Sequence, residues 1–186
     1  WEFLEDYLMN LSKTNSDKKL RIWSSASSTG QEPYSIAMYL QDFLKDYKSW
    51  DMKFLASDID PEVLKYAING EYTQKDIGAM PKYFLTKYFD KTKNDGFKVK
   101  DSLKEMVLFR MFNLTRGDYS IFKNKFDIIF CRNVMIYFDG PTKDALFTKF
   151  HHLLKPNGLL FLGHSESITR KNNDFTLVQS AIYKRT

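Results

Sequence analysis

At 186 residues the chain is long enough for one well-buried domain and too short for two ordinary ones. Its 43% hydrophobic and 16% aromatic content excludes general disorder, while the longest apolar runs, such as 126–131 and 159–163, are far too short to span a bilayer. The formal charge of +5 comes mostly from scattered lysines, and the densest cluster, 82–104, is interleaved with Asp90, Asp95 and Asp101, which argues against nucleic acid; an acidic protein partner fits the same balance.

Phe3, Leu4, Tyr7, Leu8 and Leu11 recur at helical spacing, so a helix is expected before the first strand, 20–25. A polar turn follows, and Pro33 stands where a first helical residue would, ahead of Ile36, Ala37, Leu40, Phe43 and Leu44. The theme repeats with a strand at 52–57, Asp60 as N-cap, Pro61 at the first helical position and Gly70 closing the helix. Two βα units in succession predict a parallel sheet with helices on its faces. The rhythm changes over 71–111: an amphipathic stretch at 81–89, a turn at Asn94, Asp95 and Gly96, and strand-like segments at 97–100 and 106–111 suggest an inserted antiparallel β subdomain. The α/β pattern returns with a strand at 126–131, a helix over about 142–154, a turn at 156–158 and a strand at 159–163. Segments 175–179 and 181–184 have no helix after them and are expected to form a closing hairpin. Cys131, the single cysteine, cannot form an internal disulfide, and no charged leader precedes an apolar stretch, so a cytoplasmic location is expected. The first residue is Trp1 rather than Met, which suggests further sequence upstream.

In an open parallel sheet, ligands bind beyond the carboxyl ends of the strands. The first loop there, SSASSTGQE from Ser24 to Glu32, has small residues that let backbone approach a ligand, though such a loop can equally be a plain turn. It lacks the G-x-G-x-x-G of a dinucleotide site. In the second loop, ASDID, a carboxylate at Asp58 can accept the hydroxyls of a ribose; Asp58 and Asp60 can also simply cap the next helix. The third loop, Arg132 to Tyr137, follows the most apolar strand, which should be central and buried on both faces. Arg132 and Asn133 then open into the crevice or satisfy nearby backbone, and Tyr137 is a site residue or an ordinary aromatic with its hydroxyl at the surface. His164 and Cys131 are expected to be structural, and no metal-binding cluster is evident.

RIWSSASSTGQEPYSIAM, ASDID, FNL at Phe112 to Leu114, FDIIFCRNVMIYFD, LLKPNGLLFLGHSES and the terminal YKR occur together and in order, and this set resembles the chemotaxis receptor glutamate methyltransferase family, CheR, over nearly the whole chain from Leu20 onward. The resemblance implies a class I S-adenosylmethionine-dependent methyltransferase fold, an α/β Rossmann-like sheet with a closing antiparallel hairpin and an inserted small antiparallel β subdomain at about 71–111, all within one catalytic domain, 1–186. It also implies S-adenosylmethionine as methyl donor, S-adenosylhomocysteine as product, and glutamates on the cytoplasmic domains of methyl-accepting chemotaxis receptors as acceptors, with no nucleic acid and no membrane embedding. On matching positions, Ala26 and Glu32 would contact the methionine part of the cofactor, with Glu32 taking its amino group. Asp58 would hold the ribose, Asn113 and Leu114 would flank the adenine, Arg132 and Asn133 would border the cofactor, and Tyr137, with Arg132, would face the acceptor glutamate.

The chain departs from the family at Ala26 and Ser27, where GC is frequent, and at Gln31, where glutamate is frequent. The family's upstream helical domain, and an arginine just before the first helix, fall outside these residues, so a trimmed chain with impaired activity is expected. The alternative from another class is a cofactor-binding interaction or sensor module with little turnover. A nucleic-acid methyltransferase is disfavoured because no NPPY-like segment follows the strand at 126–131.

Overall fold

In the computed structural model, which describes residues 1–168 and 174–186, the chain opens with α1 (Glu2–Thr14), an amphipathic helix that buries Leu4 and Leu8. Then come β1 (Lys19–Ser24), α2 (Gln31–Phe43), β2 (Asp51–Asp58) and α3 (Pro61–Asn69). α3 carries the stop signals its sequence announces: the Asp60 carboxylate accepts the Glu62 N–H at 2.8 Å, Pro61 fills the first position, and Gly70 ends the helix at φ 67°. α2 begins at Gln31, two residues ahead of Pro33, because Gly30 at φ 94° turns the chain into the helix.

The next stretch contains β3 (Glu71–Tyr72), α4 (Gln74–Ile77), α5 (Lys82–Tyr88), β4 (Phe89–Lys91), β5 (Phe97–Val99) and α6 (Asp101–Lys104). β5 pairs antiparallel with β3 on one side and β4 on the other, making a small three-stranded sheet. β6 (Val107–Met111) corrects the expectation that 106–111 belongs to this antiparallel group. It runs parallel to β2, from Phe54 opposite Val107 to Asp58 opposite Met111, at the edge of the main sheet. Its buried–exposed alternation, with Val107 and Phe109 inside and Leu108 and Arg110 outside, is that of a strand covered on one face, and sequence alone does not distinguish such a strand from an antiparallel one.

β7 (Phe126–Cys131), α7 (Gly140–Leu153), β8 (Leu154–Leu162), β9 (Phe175–Gln179) and β10 (Ile182–Arg185) complete the chain. The expected turn at 156–158 falls inside β8, where it shifts the pairing with β7 between Phe126 and Ile128. The main sheet has seven strands in the order β6-β2-β1-β7-β8-β10-β9; β10 is antiparallel to β8 and closes a hairpin with β9. β7 sends Ile128 and Phe130 into the core shared with α1 and α2, and Ile129 and Cys131 into the core shared with α7. It is therefore buried on both faces, as its unbroken apolar run predicts. Among the described residues no helix is long and apolar enough to cross a membrane. Strand order reverses between β1 and β7: from β1 the chain moves outward to β2 and β6, from β7 outward to β8. The crevice beyond that reversal is where this architecture accepts ligands.

Candidate functional site

Four loops meet at the crevice, those after β1, β2, β6 and β7. The loop after β1 is clamped from both sides: the Ser25 N–H donates to the Phe130 carbonyl at 2.8 Å, and the Ser27 N–H to the Ser57 carbonyl at 2.9 Å. Only glycine suits position 30, because a Cβ there would stand 2.8 Å from the Ala67 Cβ as well as being strained by the positive φ. Ser27 Oγ is buried and, among the described residues, has no hydrogen-bond partner.

The loop after β2 presents Asp58. Its Oδ2 accepts the Ser28 N–H at 2.8 Å and its Oδ1 the Asp60 N–H at 3.1 Å, so the carboxylate ties the first loop to the second and keeps lone pairs free for a ligand. Asp60 performs the capping role, and Asp58 does not. Ala26, Asp58, Asn113, Leu114 and Tyr137 all line one cleft of about 240 Å3, with Ile59, Phe112, Val134 and Phe138 supplying apolar wall. Asn113 spends its side-chain oxygen locally, accepting the N–H groups of Thr115 and Arg116 at 2.9 and 3.0 Å, which shapes the loop after β6. Tyr137, in the 3-10 turn Met135–Tyr137, is 77% exposed at the rim.

Glu32 and Arg132 do not line this cleft. Glu32, in the first turn of α2, accepts from Ser24 Oγ at 2.9 Å and from the Arg132 guanidinium at 3.1 Å. Burial holds its pKa above the usual carboxylate range, against the pull of Arg132 and Ser24. Arg132 also lines a neighbouring cavity of about 110 Å3 with Phe161 and His164. Asn133 is exposed and left-handed at φ 58°, and it is not among the residues lining the cleft. Burial pushes the Cys131 thiol up to about 12, as expected of an inert core sulfhydryl.

Glu166 was not singled out in the sequence. It is buried, and its carboxylate accepts the backbone N–H groups of Gly163 at 2.6 Å, Asn133 at 3.0 Å and Ile136 at 3.3 Å. This pins the loop carrying Arg132 and Tyr137 to the end of β8. A Cβ at Gly163 would come within 2.7 Å of Glu166 Oε2, so the glycine is required for the carboxylate to reach. The only sequence signal was an acid three residues beyond the glycine in GHSES.

The arrangement offers carboxylates for a cation and for hydroxyls, beside an apolar slot. The family described as "CheR methyltransferase, SAM binding domain" matches residues 1–184. The chain is 43% identical over 170 residues to a chemotaxis protein methyltransferase of Borreliella burgdorferi, covering 91% of this chain and 59% of the relative. It is 43% identical over 167 residues to the Escherichia coli chemotaxis protein methyltransferase, covering 88% and 57%. The chain thus spans less than two thirds of the length of either relative. Among solved structures, it is similar to magnesium protoporphyrin IX methyltransferase of Synechocystis PCC 6803 with bound SAM, at TM-score 0.54 and 13% identity over 100% of this chain and 79% of that one. A TehB-like SAM-dependent methyltransferase from Corynebacterium glutamicum gives TM-score 0.50 and 11% identity over 96% and 84%. At such low identity these likenesses show the fold alone, that of a class I S-adenosylmethionine-dependent methyltransferase. The sequence matches, which run from the first helix to the closing hairpin, show that this chain belongs to the CheR methyltransferase family.

Proposed function

We propose that this chain is the catalytic domain of a cytoplasmic protein-glutamate O-methyltransferase that moves a methyl group from S-adenosylmethionine to glutamate side chains of methyl-accepting chemotaxis receptors. The observation that carries it is the presence of two carboxylates at the carboxyl ends of β1 and β2, Glu32 bonded to Ser24 and Asp58 lining the cleft, in a chain matched by the family's cofactor domain. The residues fit the cofactor's chemistry. Asp58 suits ribose hydroxyls beside Ala26, and Leu114 with Phe112 forms an apolar wall for an adenine next to Asn113; Glu32, outside that cleft and held by Ser24 and Arg132, is the carboxylate suited to an ammonium. The Ser27 Oγ, buried and without a partner among the described residues, belongs to the same loop as Ala26. Asn133 acts through its backbone, which Glu166 holds, to set the loop that borders the cofactor.

When bound, S-adenosylmethionine supplies a methyl group already activated by its positive sulfur. The acceptor glutamate, with a pKa of about 4.3, is ionised at neutral pH and needs no general base. The task left to the protein is alignment and removal of water, effects worth roughly 7 to 11 kcal/mol together. Tyr137, exposed at the rim, can donate its hydroxyl to one carboxylate oxygen and leave the other to attack. Arg132 orients Glu32 through their ion pair and offers positive charge beside the acceptor.

Receptor docking involves the small β3-β5-β4 sheet, whose compact turn at 92–96 suits contact with an acidic receptor body rather than dependence on a receptor's C-terminal peptide. Lys98 and Lys100 are poor candidates for that contact. Lys98 pairs with Glu71 at 2.9 Å, and Lys100 donates to the carbonyls of Thr86 and Lys87, both at 3.1 Å. The exposed Lys91 of the same sheet and Lys93 of its turn are better placed. Titration of a receptor with and without its C-terminal tail, combined with Lys91→Glu and Lys93→Glu, tests this: tail-independent binding weakened by charge reversal is expected, and binding lost with the tail contradicts it.

A further inference from the structure

The face of the sheet that carries Trp23 is covered unevenly. α7 and the aromatic rings of Phe112, Tyr119 and Phe122 enclose Trp23, but the cover stops there. Strand alternation and the pairing of Leu55 with Leu108 put Lys53, Leu55, Leu108 and Arg110 on this same face, farther toward the edge. Leu108 is 50% exposed, and Ile121 across from it is 56% exposed. The cause is the crossover from β6 to β7. A parallel crossover ordinarily packs a helix on the sheet, and here residues 112–125 hold only the three-residue 3-10 turn Tyr119–Ile121. A groove of about 610 Å3 lies in that place, floored by Leu55 and Phe122 and bordered by Leu108 and Ile121. Its exposed charged rim is mainly basic: Lys53 and Lys123 against the single acid Glu105, with Arg21 already paired to Asp51.

We propose that this groove seats a helix supplied by a partner, one with an apolar stripe flanked by glutamate or aspartate. An α-helix with its side chains is about 10 Å across, the element the sheet lacks at this position. Leucine and isoleucine in the groove match an apolar stripe, and the lysines on its rim select acidic flanks. A second copy of the chain is opposed, because its rim lysines would meet their own counterparts in a molecule of net charge +5. The groove lies toward the amino ends of β1 and β2, beside Arg21 and Lys53, whereas the Asp58 cleft lies at their carboxyl ends. A helix seated there leaves the cofactor cleft open and anchors the enzyme away from the reacting carboxylate.

Fluorescence anisotropy on the full chain tests the proposal with a labelled synthetic helical peptide of about 18 residues, leucines on one stripe and glutamates flanking it. Two comparison peptides carry the same leucines spread around the helix, or lysine in place of glutamate. The striped acidic peptide is expected to bind at least roughly tenfold more tightly than either comparison. Lys53→Glu combined with Lys123→Glu, and separately Leu108→Ser, should each weaken it by about tenfold. S-adenosylhomocysteine binding serves as the folding control and should be unchanged in every variant. Equal binding of the spread-leucine peptide, or full affinity in these variants, overturns the proposal. So does a concentration-dependent dimer abolished by Leu108→Ser, which assigns the face to a second copy. Displacement of the peptide by duplex DNA, with no effect of Leu108→Ser, also overturns it.

Discussion

At Glu32 burial and an ion pair oppose each other, and burial wins: the carboxyl titrates above its ordinary range. A carboxyl raised in the folded state holds its proton to higher pH than in the unfolded chain, so ionising it costs stability as pH rises through that window. A bound ammonium offsets that cost. Affinity for S-adenosylhomocysteine is therefore expected to fall on acidification at a higher pH than an ordinary carboxylate would cause, and Glu32→Gln should weaken binding and flatten the profile. Calorimetry across mildly acidic to neutral pH measures both, and an unchanged profile in Glu32→Gln removes Glu32 from the cofactor site. Asp58 and Asp60 separate as cleanly. Asp58→Ala should cost about 1.5 to 3 kcal/mol of cofactor affinity through lost hydroxyl contacts and a loosened Ser28 loop. Asp60→Ala should instead lower thermal stability by about 1 kcal/mol through the lost helix cap, with affinity nearly intact. The place of Asp58 in the cleft was legible because it ends a strand whose carboxyl end faces the crevice. Glu166 was not, because two of its partners, Asn133 and Ile136, lie 33 and 30 residues away and only folding brings them together.

Elements announced themselves when their signals were local. α3 carries its cap, its proline and its terminal glycine within ten residues or so of sequence, and β7 is an unbroken apolar run. β6 is not legible as a parallel strand because its one-sided burial imitates an antiparallel one, and its pairing with β2 is a long-range fact. Among the described residues, one hydrogen bond ties the small sheet to the loop after β1: the Tyr72 hydroxyl of β3 donates to the Thr29 carbonyl at 2.7 Å. Tyr72→Phe is expected to cost about 0.5 to 1.5 kcal/mol of stability and to weaken S-adenosylhomocysteine binding several-fold, because the Thr29–Gly30 turn loses its brace. Melting curves and calorimetry on the same samples distinguish this from a purely local effect, in which affinity stays constant.

On the scale of the whole molecule, the order of the seven strands matters more than any single loop, because it brings the ends of β1, β2, β6 and β7 to one crevice. The proposed methyl transfer, from an already activated donor to an ionised acceptor, asks no side chain there to act as a nucleophile or base. On the proposed function, the methyl group ends on a receptor glutamate. Incubating the chain with receptor-containing membranes and methyl-labelled S-adenosylmethionine, then treating the protein fraction with alkali, tests it directly. Label is expected to enter the receptor, at a rate lowered by Tyr137→Phe with cofactor affinity preserved, and to be released by alkali as methanol, the mark of a carboxyl methyl ester. Label that resists alkali, or no transfer to the receptor while the cofactor binds, would contradict it.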